Sequence, residues 1–260
     1  AEKLKIYQSF HNNGNVSPSN QYHSHNHHQQ QDIADELSHV PVSIESMCSQ
    51  QVIPILLREA FLETNERVCL DAKLQNGCTA SSIYLRPITA VDGLDPTTTT
   101  TTTPNRNCME LYVANVGDSR VVLARNGKAI RLTVDHRPND PDEQRRVADA
   151  GGRIINQRVN AILAVTRAIG DVYLQPIVTA DPYTCFQCLD SEAGDEFLIL
   201  ACDGIWDVMS DQDAVDLIKD EMDPRVASVK LRDHAYSAGS NDNISVAVVR
   251  LRKTIGDESP

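Results

Sequence analysis

Asp203 closes an apolar run, Phe197-Leu-Ile-Leu-Ala201, after one intervening cysteine. Five such residues read as a strand buried on both faces, so the acid emerges where the chain must turn. A second acid has the same setting: Gly239-Ser-Asn-Asp-Asn-Ile244 opens an alternating strand over residues 244–251 and puts Asp242 at its mouth. Two carboxylates held rigidly at strand ends suit a hard divalent cation, which prefers oxygen ligands. Two other groups of metal-ligating types are weaker. Cys185 and Cys188 form a lone Cys-X-X-Cys, with no second pair and no histidines at finger spacing, and read as two thiols in a loop. His23, His25, His27 and His28 lie in a tract, residues 11–31, of Asn, His, Gln and Ser. Its low complexity makes it a flexible insertion rather than a metal site.

The elements that must position the acids mix strands and helices. Residues 52–68 carry Ile55, Leu56, Ala60 and Phe61 at helical spacing and lead to a turn at Asn76-Gly77,. A strand through Ile83 and Leu85 follows, then a strand over residues 109–115. Past a turn at Gly117-Asp118, two alternating runs flank Asn126-Gly127, the strongest short hairpin signal,. Asp140-Pro141 starts a helix that Gly151-Gly152 ends. Ser210 with Asp213, and Asp223-Pro224, open two more, the last closing near Gly239. Antiparallel strands with segregated helices predict an α+β fold.

Composition narrows the function classes. The chain has 260 residues, 41% of them hydrophobic, enough for a full core,. No apolar stretch is long enough to span a membrane, and no signal pattern opens the chain, so the reading is an intracellular protein of cytoplasm and/or nucleus. Seven cysteines at irregular spacing fit buried free thiols, Cys69 and Cys202 among them,. A net charge of -12 without any Lys/Arg cluster argues against a nucleic-acid binder,. Residues 91–107 include seven consecutive threonines, Thr97 to Thr103. Like the tract at 11–31 they interrupt ordered sequence, so both read as insertions within a single domain over residues 1–255, with 256–260 as a tail.

Six ordered motifs carry a family resemblance: Asn115-Val-Gly-Asp-Ser-Arg120, Asp135-His-Arg-Pro138, Gly151-Gly-Arg-Ile154, Leu163-Ala-Val-Thr-Arg-Ala-Ile-Gly-Asp171, Ala201-Cys-Asp-Gly-Ile-Trp-Asp-Val208 and Ser240-Asn-Asp-Asn-Ile244. Their order and spacing resemble the PP2C-type metal-dependent serine/threonine phosphatases, and Asn76-Gly-Cys-Thr-Ala80 is similar to a strand entry of that family. The resemblance implies a sandwich of two antiparallel β-sheets flanked by helices, with two Mn²⁺ or Mg²⁺ ions at one edge and a weak third. It implies Asp203 and Asp242 as ligands of one ion and Asp118 beside Asp203 at the third. It implies a phosphoprotein substrate, a Gly204 that keeps the turn after Asp203 open, and a mobile flap over residues 137–161. Taken alone, each of these aspartates is a common turn residue; the motifs favour the ligand reading and leave Asp171 structural or substrate-proximal. Arg167 is expected to brace the loop through a carboxylate, His136 to be structural and Trp206 to be core.

The chain departs from the family at its start. An early Glu-Asp strand with a phosphate-binding Arg, and an Asp-Gly-His-Gly-Gly turn, are missing from the sequence that opens at Ala1. No catalytic proton donor is therefore assigned within the chain, and its expected place is upstream. The sandwich is expected to lack its first strands, and this chain alone to bind metal weakly. Two functions follow as expectations: a phosphatase domain needing upstream residues, or a pseudophosphatase acting as an interaction or regulatory module. Substrate, preferred metal and oligomeric state are not fixed by the sequence.

Overall fold

Strand Cys108–Val116 (β2) sends Leu111 and Val113 to one side and Tyr112, Ala114 and Val116 to the other, all fully buried, so apolar layers must cover both faces. The computed structural model describes residues 48–71, 76–88, 108–190 and 194–251. Ala80–Pro87 (β1) and Tyr183–Asp190 (β7) flank β2 in one antiparallel sheet of order β1-β2-β7. The second sheet has the order β4-β3-β8-β9, from Arg120–Arg125 (β3), Lys128–Arg131 (β4), Asp195–Ala201 (β8) and Val246–Arg250 (β9). Between β4 and β7 lie the helix Pro141–Asp149 (α2) and a small hairpin of Ile154–Ile155 (β5) and Arg158–Val159 (β6). This segment has its own core of Val147, Val159, Ala168, Leu174 and Val178.

The inter-sheet layer joins Leu111, Val113 and Leu189 of one sheet to Val121, Leu123 and Leu198 of the other. Outside the second sheet, Val122, Phe197 and Ile199 pack on the helices Asp211–Ile218 (α4) and Pro224–Ser237 (α5) through Val215, Ile218 and Leu231. Outside the first sheet lies the helix Ser49–Asp71 (α1), whose Leu57, Phe61 and Val68 cover Ala114 and Val116. The order helix, sheet, sheet, helix bears out the α+β sandwich.

Three expectations need correction. The stripe that buries α1 runs through Leu57, Phe61 and Val68; Ile55 and Leu56 are exposed, because the contact with β2 selects a different face. Cys185 and Cys188 lie on β7 and not in a loop, and Cys185 packs toward the inter-sheet core while Cys188 is exposed. An odd spacing on a strand sends two side chains to opposite faces, so the pair cannot share a metal. The thiols named by the sequence reading are free but only half-buried at Cys69 and Cys202. The tracts at 11–31 and 91–107, and the tail, lie outside the described residues.

Candidate metal centre at the rim of the sandwich

Five strand ends meet at one rim. Ala201 at the end of β8 pairs with Val246 at the start of β9 and with Arg120 at the start of β3, and Val116 at the end of β2 pairs with Ala80. Antiparallel pairing therefore delivers the turn after β2, the turn after β8 and the loop before β9 to the same edge. Those segments carry Asp118, Asp203 and Asp242.

Asp118 is 6% exposed and follows Gly117, whose φ of +87° needs a residue without a side chain,. A Cβ there would also stand 2.3 Å from Thr79 Cγ2. Burial pushes the Asp118 carboxyl up to about 6; Arg137 pulls it down and the charge on Asp203 adds to the rise. Asp203 begins a single helical turn, Asp203–Trp206 (α3), and is half-buried. Its carboxyl is raised by burial, then by the charges on Asp242 and Asp207, against a smaller pull from Arg137. Asp242 is exposed, and its Oδ1 accepts from the Asn243 N–H at 2.6 Å. The three acids thus repel through Asp203, an arrangement that raises the energy of the ionised state and that a cation would relieve.

The loops of Asp203 and Asp242 are welded together. The Cys202 N–H donates to the Ser245 carbonyl at 3.1 Å, and the Ser245 N–H donates to Cys202 Sγ at 3.2 Å. Ser240 Oγ donates to the Gly204 carbonyl at 2.7 Å. Gly204 itself is buried, and a Cβ on it would stand 2.3 Å from the Asn243 carbonyl oxygen. The space it leaves is needed for the approach of the two loops. Gly204→Ala should force them apart, costing about 1–3 kcal/mol of stability and weakening Mn²⁺ uptake. Thermal melts and a Mn²⁺ titration check this; an unchanged melting point would show that the loops yield freely.

Nearby residues of the motifs are engaged by partners within the described fold. His136 is 2% exposed, and its Nδ1 accepts from the Gly117 N–H at 3.2 Å. Arg167 donates to Glu143 Oε1 from both Nε and Nη2, and from Nη1 to the Asp181 carbonyl. Trp206 is 7% exposed and donates from Nε1 to the Ala201 carbonyl. Asp171 is buried, with φ +48°, and crowds Gly77.

Two residues at the rim escaped sequence reasoning. Arg137 places Nε 3.0 Å from Asp118 Oδ2 and donates from Nη2 to Asp207 Oδ1 at 2.8 Å. Asp207 follows Asp203 by four positions, the spacing that brings side chains together over one helical turn. An open depression of about 350 Å³ beside them is bordered by Gly204, Asp207, Ser240 and Asp242. A larger one, about 420 Å³, lies over Glu143 and Arg167 and touches none of the three acids.

The donor set fits a hard cation in kind, being carboxylate oxygen without thiolate or imidazole. Among the described residues, no three metal-binding side chains close around a common point. The rim therefore offers carboxylates one or two at a time, which suits Mg²⁺ or Mn²⁺, ions that keep several of their waters.

Two face-to-face antiparallel sheets between helices, with acids gathered where strand ends meet, define the architecture of the metal-dependent phosphatases that the motifs resemble. The chain belongs to the protein phosphatase 2C family, whose sequence profile matches residues 2–244. It is 41% identical over 211 residues to protein phosphatase 2C homolog 1 of Schizosaccharomyces pombe, covering 80% of this chain and 55% of that one. The Saccharomyces cerevisiae protein of the same name is 43% identical over 200 residues, covering 75% of this chain and 68% of that one. Against a C. elegans sex determining protein the TM-score is 0.62 at 30% identity, covering 86% of this chain and 51% of that structure. A Toxoplasma gondii phosphatase, at 24% identity and a TM-score of 0.58, covering 75% of this chain and 73% of that one, agrees in fold. The chain spans about half the length of the S. pombe relative.

Proposed function

We propose that the chain is the larger part of a protein serine/threonine phosphatase domain acting on phosphoserine and phosphothreonine in protein substrates. Family membership over residues 2–244 carries this reading. In support, three family-motif acids share the rim, where the charge on Asp203 helps to raise the Asp118 carboxyl and the charge on Asp242 helps to raise that of Asp203. Asp203 and Asp242 are assigned to one ion, and Asp118 joins Asp203 at a weaker position.

Bound Mn²⁺ or Mg²⁺ would supply the acidity that makes water a nucleophile and the charge that holds phosphoryl oxygens. The protein's own part is to fix the three carboxylates at strand ends. Asp203 stands on a turn locked to the Asp242 loop, so the two acids would be offered to an ion as one unit. Asp118 is held in a turn anchored by the His136 N–H on the Gly117 carbonyl at 3.0 Å. Residues 1–255 are taken as one domain. No helix among the described residues is long and apolar enough to cross a membrane. The comparisons do not favour the pseudophosphatase alternative.

The test is phosphate release from a phosphothreonine peptide with Mn²⁺ and with EDTA, on this chain and on its full-length parent. Turnover by the parent that stops in EDTA supports the reading. Turnover that persists in EDTA, or none from the parent with Mn²⁺, overturns it.

A further inference from the structure

Asp118 already faces a cation. Arg137 Nε lies 3.0 Å from its Oδ2, yet that Nε is buried with no hydrogen-bond partner. The two groups are held by charge without the alignment of a hydrogen bond. The other end of the guanidinium has better geometry, donating to Asp207 at 2.8 Å, and Asp207 is the more exposed acid, with 54% of its side chain accessible against 9% for Asp118. A divalent ion bound to Asp118 at about 2.1 Å would stand within a few ångströms of this guanidinium. Two cations that close, at a site this shielded, repel strongly. The two would therefore compete for Asp118.

Arg137 is also tied into the backbone that leads from the rim to α2. The Asp140 N–H donates to the Arg137 carbonyl at 3.0 Å, and Asp140 caps α2 by accepting from the N–H groups of Asp142 and Glu143. Gln144 Nε2 donates to the Pro138 carbonyl at 2.7 Å. The neighbouring His136 is pinned to Gly117. The backbone at residue 137 is thus tied to the α2 cap on one side and, through His136, to Gly117 on the other.

We infer that Arg137 is a built-in counter-ion which a divalent cation must displace from Asp118, so that cation uptake frees Arg137 to rest on Asp207 and loosens the turn at residues 137–140. The inference rests on the metal reading above and makes Arg137 a positioning residue. It also gives a physical cause for weak uptake, since part of the ion's binding energy goes into breaking a shielded ion pair.

The test uses this 260-residue chain and measures Mn²⁺ binding by electron paramagnetic resonance, with hydrogen exchange of peptides covering residues 137–145. Arg137→Gln should bind Mn²⁺ about tenfold more tightly, with exchange already high in EDTA. In the unaltered chain, exchange should start low and rise to that level with Mn²⁺. Arg137→Lys keeps the charge but cannot span Asp118 and Asp207, and should fall between the two in affinity. Equal affinities for all three proteins would overturn the inference, as would exchange that ignores saturating Mn²⁺. Lysine behaving like arginine while glutamine binds tighter would reduce the effect to a distant field and also overturn it. If none takes up millimolar Mn²⁺, the metal reading fails and the inference with it. Should Arg137→Gln not fold, the lysine variant and the exchange data decide.

Discussion

Asp203→Asn should abolish Mn²⁺-dependent release of phosphate, by about 100-fold or more, while slightly raising the melting point of the metal-free protein. The two effects have one cause. Asp203 is held beside Asp242 and Asp207 in partial burial, which disfavours its charge. Asparagine keeps the shape and removes the repulsion, so the apo fold gains, by about 1–3 °C on the scale for domains of this size. Such a trade of stability for function is common where a site holds like charges together. Turnover in the parent enzyme and melts in EDTA measure the two sides. Full turnover by the variant would remove Asp203 from the metal site; a lower melting point would show that its carboxylate is structural.

Glu143→Ala should have the largest effect on stability. Glu143 is 4% exposed and accepts from Arg146 Nε at 3.1 Å, Thr166 Oγ1 at 2.6 Å, and Arg167 Nε and Nη2 at 3.0 and 2.5 Å. Removing it leaves two guanidiniums in a shielded place without their counter-ion, a loss of about 3–5 kcal/mol. The loss should depend on pH in a definite direction. Burial raises the Glu143 carboxyl, but the hydrogen bonds from Arg167, Thr166 and Arg146 outweigh it and hold it at about 2. A carboxyl lowered by folding stabilises fully above its unfolded value, about 4.5, and loses that contribution as pH falls toward 2. The shift corresponds to about 3 kcal/mol. The gap between the unaltered chain and Glu143→Ala should therefore be widest above pH 5 and shrink toward pH 2. A gap constant over that range would show that the charge on Glu143 is not what matters. His136 adds an earlier limb, because burial, with help from Arg167, lowers it to about 4. Its stabilising contribution is complete above about 6.5 and falls away between there and pH 4.

What could be read from the sequence was mostly local. Asn126-Gly127 gave the β3–β4 hairpin, and the caps at Asp140, Ser210 and Asp223 all accept from the N–H groups expected. The acids at strand ends could be placed because an apolar run that stops at an aspartate fixes where its carboxylate emerges. Features decided by partners distant in sequence were hidden. Strand β7, Tyr-Thr-Cys-Phe-Gln-Cys-Leu-Asp, has a half-buried, weakly alternating pattern and is a strand through its pairing with β2. The two-residue strands β5 and β6 are too short to leave a period. Of the apolar residues read on α1, Phe61 is buried while Ile55, Leu56 and Ala60 are exposed, because apolar residues surround the helix and the contact with the first sheet picks one face. Arg137 and Asp207 were missed for the same reason: one lies 70 positions from the other, and composition does not reveal such a pair.

The position of α2 and the small hairpin between β4 and β7 has a consequence for how the chain could be divided. A cut there would leave β1 to β4 on one piece and β7 to β9 on the other. Each sheet draws strands from both pieces, β1-β2 with β7 and β4-β3 with β8-β9. Pairs such as Arg125 with Asp195 bind across the cut. Neither fragment could close the inter-sheet layer by itself, so the halves would have to fold by recombining. Asp118 would travel with the first piece and Asp203 and Asp242 with the second, making the charge cluster at the rim a property of the reassembled pair.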